Sequence, residues 1–230
     1  MEFIGTFILS GAINFSTQYT ELGQAGSWLL IFTSFYVAIS WCREISGGHI
    51  NPAVTTAVYL SYDENKRSKE QSTLTLYIVA QILGALSSCL LSFIFYRENV
   101  FQIAINKRVD PMHALIAEIL ATGLFTYTIL CQGDKNAKLT NEKSVSTFVV
   151  SMALFTTANI AGNVSGGCLN PAIGFAHNFV RLLVTGDVKE CKYLWIYIAG
   201  PITGAACAAY LYNNYFSTFF TKSEEKGQMI

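Results

Sequence analysis

Apolar residues along this chain gather into long blocks instead of alternating with polar ones. Near-continuous apolar stretches cover residues 2–20, 28–45, 73–96, 111–132, 144–162 and 191–217. Each is close to the about 20 residues a helix needs to cross a bilayer, so six membrane-spanning helices are predicted. Two more blocks, 51–61 and 170–183, are apolar but too short to cross, and each opens with Asn-Pro-Ala behind a Gly-rich turn. Proline suits the first turn of a helix, and the Ser/Gly stretch before it cannot carry the helix backward. These two blocks therefore predict half-helices.

The two halves of the chain echo each other. Glu2-Phe3-Ile4-Gly5-Thr6 parallels Glu118-Ile119-Leu120-Ala121-Thr122. Ser46-Gly47-Gly48-His49-Ile50-Asn51-Pro52-Ala53 parallels Ser165-Gly166-Gly167-Cys168-Leu169-Asn170-Pro171-Ala172, 119 positions later. Gly84-Ala85 and Gly204-Ala205, 120 positions apart, repeat a small-residue pair of the kind that lets helices pack closely. Three spans per half is an odd number, so the second half enters the membrane from the opposite side, and the repeat is inverted about an axis in the membrane plane. The half-helices then point at each other. Non-helical backbone is tolerated at membrane depth only where it is buried in protein or lines a water-filled cavity, which places both Gly-rich turns along a pathway. The expected organisation is one transmembrane channel domain over 1–230, with repeats at about 1–96 and 111–217 and a tail at 218–230.

Composition agrees with the bilayer as solvent: 52% of residues are hydrophobic, only 13% are charged, and the mean hydropathy is +0.38. Fifteen basic residues balance fifteen acidic ones, so nothing draws the chain to nucleic acid or to a membrane surface by charge. The six cysteines stand singly, without the paired spacings of zinc or redox sites, and read as small hydrophobes. No metal or cofactor is expected. No nucleophile, base and oxyanion arrangement is visible, so no enzyme is expected either. The opening block lacks a basic leader and reads as a retained helix, not a cleaved signal.

The chemistry concentrates where the half-helices meet. Two helix N-termini at Asn51 and Asn170 would bring free N–H groups and two positive dipole ends together at mid-membrane, which repels cations and hydronium. Each asparagine amide can donate into the pore while its carbonyl ties back to local backbone, so a passing water accepts from both and turns its protons outward. The turns Gly47, Gly48, His49, Ile50 and Gly166, Gly167, Cys168, Leu169 would offer carbonyl acceptors, glycine permitting backbone geometries other residues resist. Glu2 and Glu118 are carboxylates in apolar helices, where such groups are costly and functional by default. They read as braces accepting from the nearby turn backbone, in preference to proton carriers. His49 titrates near neutrality when free but reads as a neutral hydrogen-bonding residue in a packed turn. Asp110 before Pro111 reads as a helix cap, and the charged runs Asp63 to Glu70 and Gly133 to Lys143 as solvated loops.

These residues resemble the aquaporins, or major intrinsic proteins, over nearly the whole chain. Beside the twin Asn-Pro-Ala boxes, the matches are Glu2 with Thr6, Ser46 to Thr55, Tyr77 to Gln81 followed by Gly84, Glu118 with Thr122, and Trp195-Ile196-Tyr197 leading to Gly200-Pro201. The resemblance implies an all-α membrane protein: an aquaporin-like inverted repeat of six transmembrane helices plus two half-spanning re-entrant helices. It further implies a pore in each protomer, a homotetramer, and cytoplasmic termini. With that orientation Arg43, Lys66, Arg67, Lys69, Lys135, Lys138, Lys143, Lys222 and Lys226 lie inside, against Arg97, Lys107, Arg108, Arg181, Lys189 and Lys192 outside, the sign expected of the positive-inside bias.

The sequence departs from the family pattern at the outer filter. An arginine usual after the second box is here Ile173, and counting back gives its partners as Gly167, Ala158 and Ile31. The filter is then small and apolar, wider and less of a barrier to cations. Arg181 lies about 12 Å further along the helix and cannot replace the missing charge. Ile198, at a position usually aromatic in strict water channels, favours solutes such as glycerol, urea or ammonia; Tyr197 beside it points the other way. Almost nothing precedes Glu2, which suggests a first helix without its opening turns, or a neighbouring protein over that end, as in a larger membrane assembly. The favoured function is a passive channel for water and small neutral solutes. A non-conducting or structural subunit is the alternative. A cation-coupled transporter is disfavoured by the facing positive helix ends.

Overall fold

The computed structural model describes residues 1–18, 23–97, 100–134, 138 and 140–218, and among these every regular element is helical. The order is α1 (Glu2–Ser16), α2 (Gly23–Ser46), α3 (Pro52–Ser61), α4 (Glu64–Tyr96), α5 (Pro111–Gly133), α6 (Lys143–Ser165), α7 (Pro171–Thr185) and α8 (Leu194–Leu211). A 3₁₀ turn at Val188–Cys191 precedes α8, and a π-helical turn at Tyr212–Phe216 extends it. Among the described residues, five helices are long and apolar enough to cross a membrane: α2, α4, α5, α6, and α8 with its π turn. α1, at 15 residues, spans about 22 Å, short of the about 30 Å hydrocarbon core. The end of that predicted span, from Tyr19, lies outside the described residues, as do Lys135, Lys222, Lys226 and nearly all of the tail.

Local chemistry accounts for the helix starts. Asn51, Asn170 and Asp110 are N-caps whose side chains accept from backbone N–H two residues on, each followed by proline at the first helical position. The run Asp63 to Glu70 is not a loop: Asp63 caps α4, its Oδ1 accepting from Lys66 N at 2.9 Å, and residues from Glu64 onward are helical. Charge marks where this helix leaves the bilayer, not where it ends, because Glu, Lys, Arg and Gln are good helix formers.

The burial pattern is inside-out relative to a water-soluble bundle. Leu76, Leu120 and Ile160 are each about two-thirds exposed, while Glu2, Gln81 and Glu118 are fully buried. Lipid, not a larger core, accepts the apolar exterior. α1 packs chiefly on α4, and α5 on α8, at related places in the two repeats. A Cβ on Gly84 would collide with the Phe3 carbonyl oxygen, and one on Gly204 with the Ile119 carbonyl oxygen and, at 2.9 Å, Gly123 N. Glycine is required at both because backbone meets backbone.

Candidate pore

Both Gly-rich turns adopt backbone that most residues avoid. φ is positive at Gly47, Gly48 and Ile50, and again at Gly166, Gly167 and Leu169. A β-branched residue such as Ile50 at φ 57° is strained and needs its surroundings to hold it. Glu2 does so: its Oε1 accepts from Ser46 Oγ at 2.6 Å and His49 N at 3.1 Å, its Oε2 from Ile50 N at 2.6 Å and Gln81 Nε2 at 2.7 Å. Glu118 repeats the arrangement, accepting from Ser165 Oγ at 2.6 Å, Cys168 N at 2.9 Å and Leu169 N at 2.8 Å. Tyr197 adds a bond of its own, donating from its hydroxyl to the Ser165 carbonyl at 2.8 Å. His49 Nδ1 lies 3.1 Å from Thr55 Oγ1, and its ring packs edge-on to Tyr77.

The turns bring the two asparagines together. Asn51 Nδ2 donates to the Leu169 carbonyl at 2.8 Å, and Asn170 Nδ2 donates to the Ile50 carbonyl at 3.0 Å. Each amide oxygen accepts from its own helix, Asn51 from Ala53 N at 2.8 Å and Asn170 from Ala172 N at 3.1 Å. One N–H per amide remains after these bonds. The Ile50 and Leu169 carbonyls, expected to serve a permeant, each accept from the opposing asparagine, and both residues are fully buried. Pro52, Ala53, Pro171 and Ala172 are buried in the first turns of α3 and α7.

A cavity of about 280 Å³ leads down to this junction, with Asn51 and Asn170 in its wall. Ile31, Ala158, Gly167 and Ile173 all line it, as do Gly166 and Cys168. Gly167 and Ala158 touch directly, since a Cβ on Gly167 would strike the Ala158 carbonyl oxygen. Ser16, Thr17, Gln24 and Ser27 contribute polar groups, while Trp28, Phe35, Phe101 and Phe125 supply aromatic walls. Gln24, Ser27, Trp28, Ile31 and Phe35 form one stripe of α2 at helical spacing, a signal present in the sequence. Phe101 and Ile103 come from the α4–α5 connection, which folds inward and is tied down by Asn106 N to the Val164 carbonyl at 3.1 Å. Arg181 lies off this cavity, in an outer hollow with Thr17 and Gln102. Ile198 is 41% exposed on the outside of the bundle and takes no part in the lining.

Residues 1–212 match the family model described as Major intrinsic protein. The chain belongs to the major intrinsic protein family. It is an integral, multi-pass membrane channel protein of that family, not an enzyme. Among its relatives, Aquaporin TIP2-3 of Arabidopsis thaliana is 30% identical, covering 94% of this chain and 85% of the relative. Aquaporin AqpM of Methanothermobacter marburgensis is also 30% identical, covering 92% and 94%. The X-ray structure of the aquaglyceroporin from Plasmodium falciparum superposes with a TM-score of 0.81 over 96% of each chain, at 21% identity, which speaks to the fold. This major intrinsic protein thus holds two capped half-helices tip to tip at the foot of a mostly apolar cavity.

Proposed function

We propose that this chain is a passive pore for water and small uncharged solutes such as glycerol, urea and ammonia, with an outer constriction of Ile31, Ala158, Gly167 and Ile173 in place of an arginine. The observation that carries the reading is the reciprocal pair of bonds between Asn51 and the Leu169 carbonyl and between Asn170 and the Ile50 carbonyl, at the foot of the cavity. It fixes both amides so that their remaining N–H groups face the passage beside two positive helix ends. A water oxygen or a solute hydroxyl accepts there, and a cation is repelled. Glu2 and Glu118 act as braces: with four and three hydrogen bonds, they hold the turns open without offering a free carboxylate to protons. The Gly166, Gly167 and Cys168 carbonyls serve a permeant along the cavity wall, and the Ile173 side chain leaves that wall without a fixed charge.

Stopped-flow light scattering on proteoliposomes tests this directly, with water, glycerol, urea, ammonia and protons as permeants, on the wild type and Ile173→Arg. Rates for every solute no faster than empty vesicles would remove the conducting reading. The same reading makes the assembly a homotetramer with one pore in each protomer, which native mass spectrometry of the purified protein would check.

A further inference from the structure

α1, α4 and α7 enclose a second group of polar side chains, away from the cavity described above. Ser10 and Asn14 on α1, Ser88, Cys89 and Ser92 on α4, and His177 on α7 are at most 1% exposed, and none of them lines the cavity. Ser10 Oγ lies 3.1 Å from His177 Nε2. Asn14 Nδ2 donates to the Ser10 carbonyl at 3.0 Å and lies 3.5 Å from the same imidazole nitrogen and 3.6 Å from Cys89 Sγ. Phe101, whose other side faces the cavity, packs edge-on against this ring at 5.8 Å and stands between the two compartments.

The cluster's polar capacity is not used up by these contacts. Asn14 Oδ1, Ser88 Oγ, Ser92 Oγ and His177 Nδ1 carry no hydrogen bond among the described residues. Ser88 faces α1, its Oγ only 3.2 Å from where a Cβ on Gly11 would stand, and Ser92 follows one turn later on the same face of α4. Buried polar groups are almost always paired, and four unpaired atoms in one cluster call for a small partner that both donates and accepts. A water molecule with two to four polar neighbours is the usual one.

We propose that this polar cluster is a hydration site, holding about one or two water molecules between Asn14 Oδ1 and the Ser88 and Ser92 hydroxyls. It is separate from the cavity and bridges α1 and α4 beside His177 of α7. His177, one helical turn beyond Ile173, meets this group directly through Ser10 Oγ at 3.1 Å.

The sign of a stability change decides the matter. Ser88→Ala and Ser92→Ala are made singly in the full chain and melted in lipid nanodiscs. A hydroxyl bridged by water leaves its partners unsatisfied when deleted, so each variant melts about 2–4 °C lower than the wild type. An unpaired hydroxyl in a dry pocket is a burden whose removal raises the melting temperature; a rise or no change in both variants overturns the proposal. A cryo-electron microscopy map that resolves water near Asn51 and Asn170 gives a second readout. Density at about 2.6–3.2 Å from Asn14 Oδ1 is expected, and its absence overturns the site without touching the pore reading.

Discussion

Replacing Glu118 with alanine removes the acceptor of three buried donors at once: Ser165 Oγ, Cys168 N and Leu169 N. The serine has an alternative, because its Oγ also reaches the Ala161 carbonyl at 3.3 Å. The two backbone N–H groups have none, as they sit in a turn whose φ values are positive at Gly166, Gly167 and Leu169. An unsatisfied buried donor costs about 1–3 kcal/mol, so the variant loses about 2–6 kcal/mol. For a chain of this size that corresponds to a melting temperature at least about 4 °C lower. The turn also relaxes, and with it the Leu169 carbonyl that holds Asn51, so osmotic water permeability falls together with stability. The assay pairs intrinsic-fluorescence melting in nanodiscs with stopped-flow swelling below the melting temperature. Glu118→Gln, which keeps one accepting oxygen, falls between the two. A Glu118→Ala protein that melts within about 1 °C of wild type and conducts normally would refute the bracing argument.

Other expected outcomes follow from the same geometry. Ile173→Arg places a fixed charge in the apolar wall and lowers glycerol and proton flux by at least about tenfold, about 1.4 kcal/mol of added barrier, with a smaller effect on water; equal losses for all permeants would contradict this. Asn170→Asp replaces the donor to the Ile50 carbonyl with a carboxylate beside the positive helix ends. Proton and cation leak rises in vesicle flux assays while circular dichroism stays helical. Gly204→Ala drives a methyl group into the Ile119 carbonyl and costs about 1–3 kcal/mol by parting α5 from α8, read as a lower melting temperature. Lys143→Ala removes a 2.7 Å ion pair with Glu44 whose side chains are 71% and 58% exposed, so the melting temperature moves by no more than about 2 °C.

Much of the architecture could be read along the chain because the bilayer leaves few alternatives. A backbone that must satisfy its own hydrogen bonds is helical wherever about 20 apolar residues run together, and a proline behind an asparagine marks where the half-helices begin. The charged run Asp63 to Glu70 carries no sign of its helix, since polarity reports contact with water and not loss of helix. The Ile50 and Leu169 carbonyls are each held by an asparagine about 120 residues away, a contact no local pattern announces. The aromatic wall from Phe101 had no periodic signal, because it comes from an irregular connection held only by contacts such as Asn106 with Val164.

From the residues alone came the helical class, the inverted repeat and the two capped half-helices, because these follow from local rules: hydrophobic length, proline geometry and capping. Only the tertiary structure decided that the asparagines grip each other's turns, that Ile31, Ala158, Gly167 and Ile173 share one cavity with Phe101, and that Ser10 and Asn14 meet His177. Those are meetings of residues far apart in the chain, set by helices packing at their glycines, and no local pattern encodes which side chains such packing brings face to face.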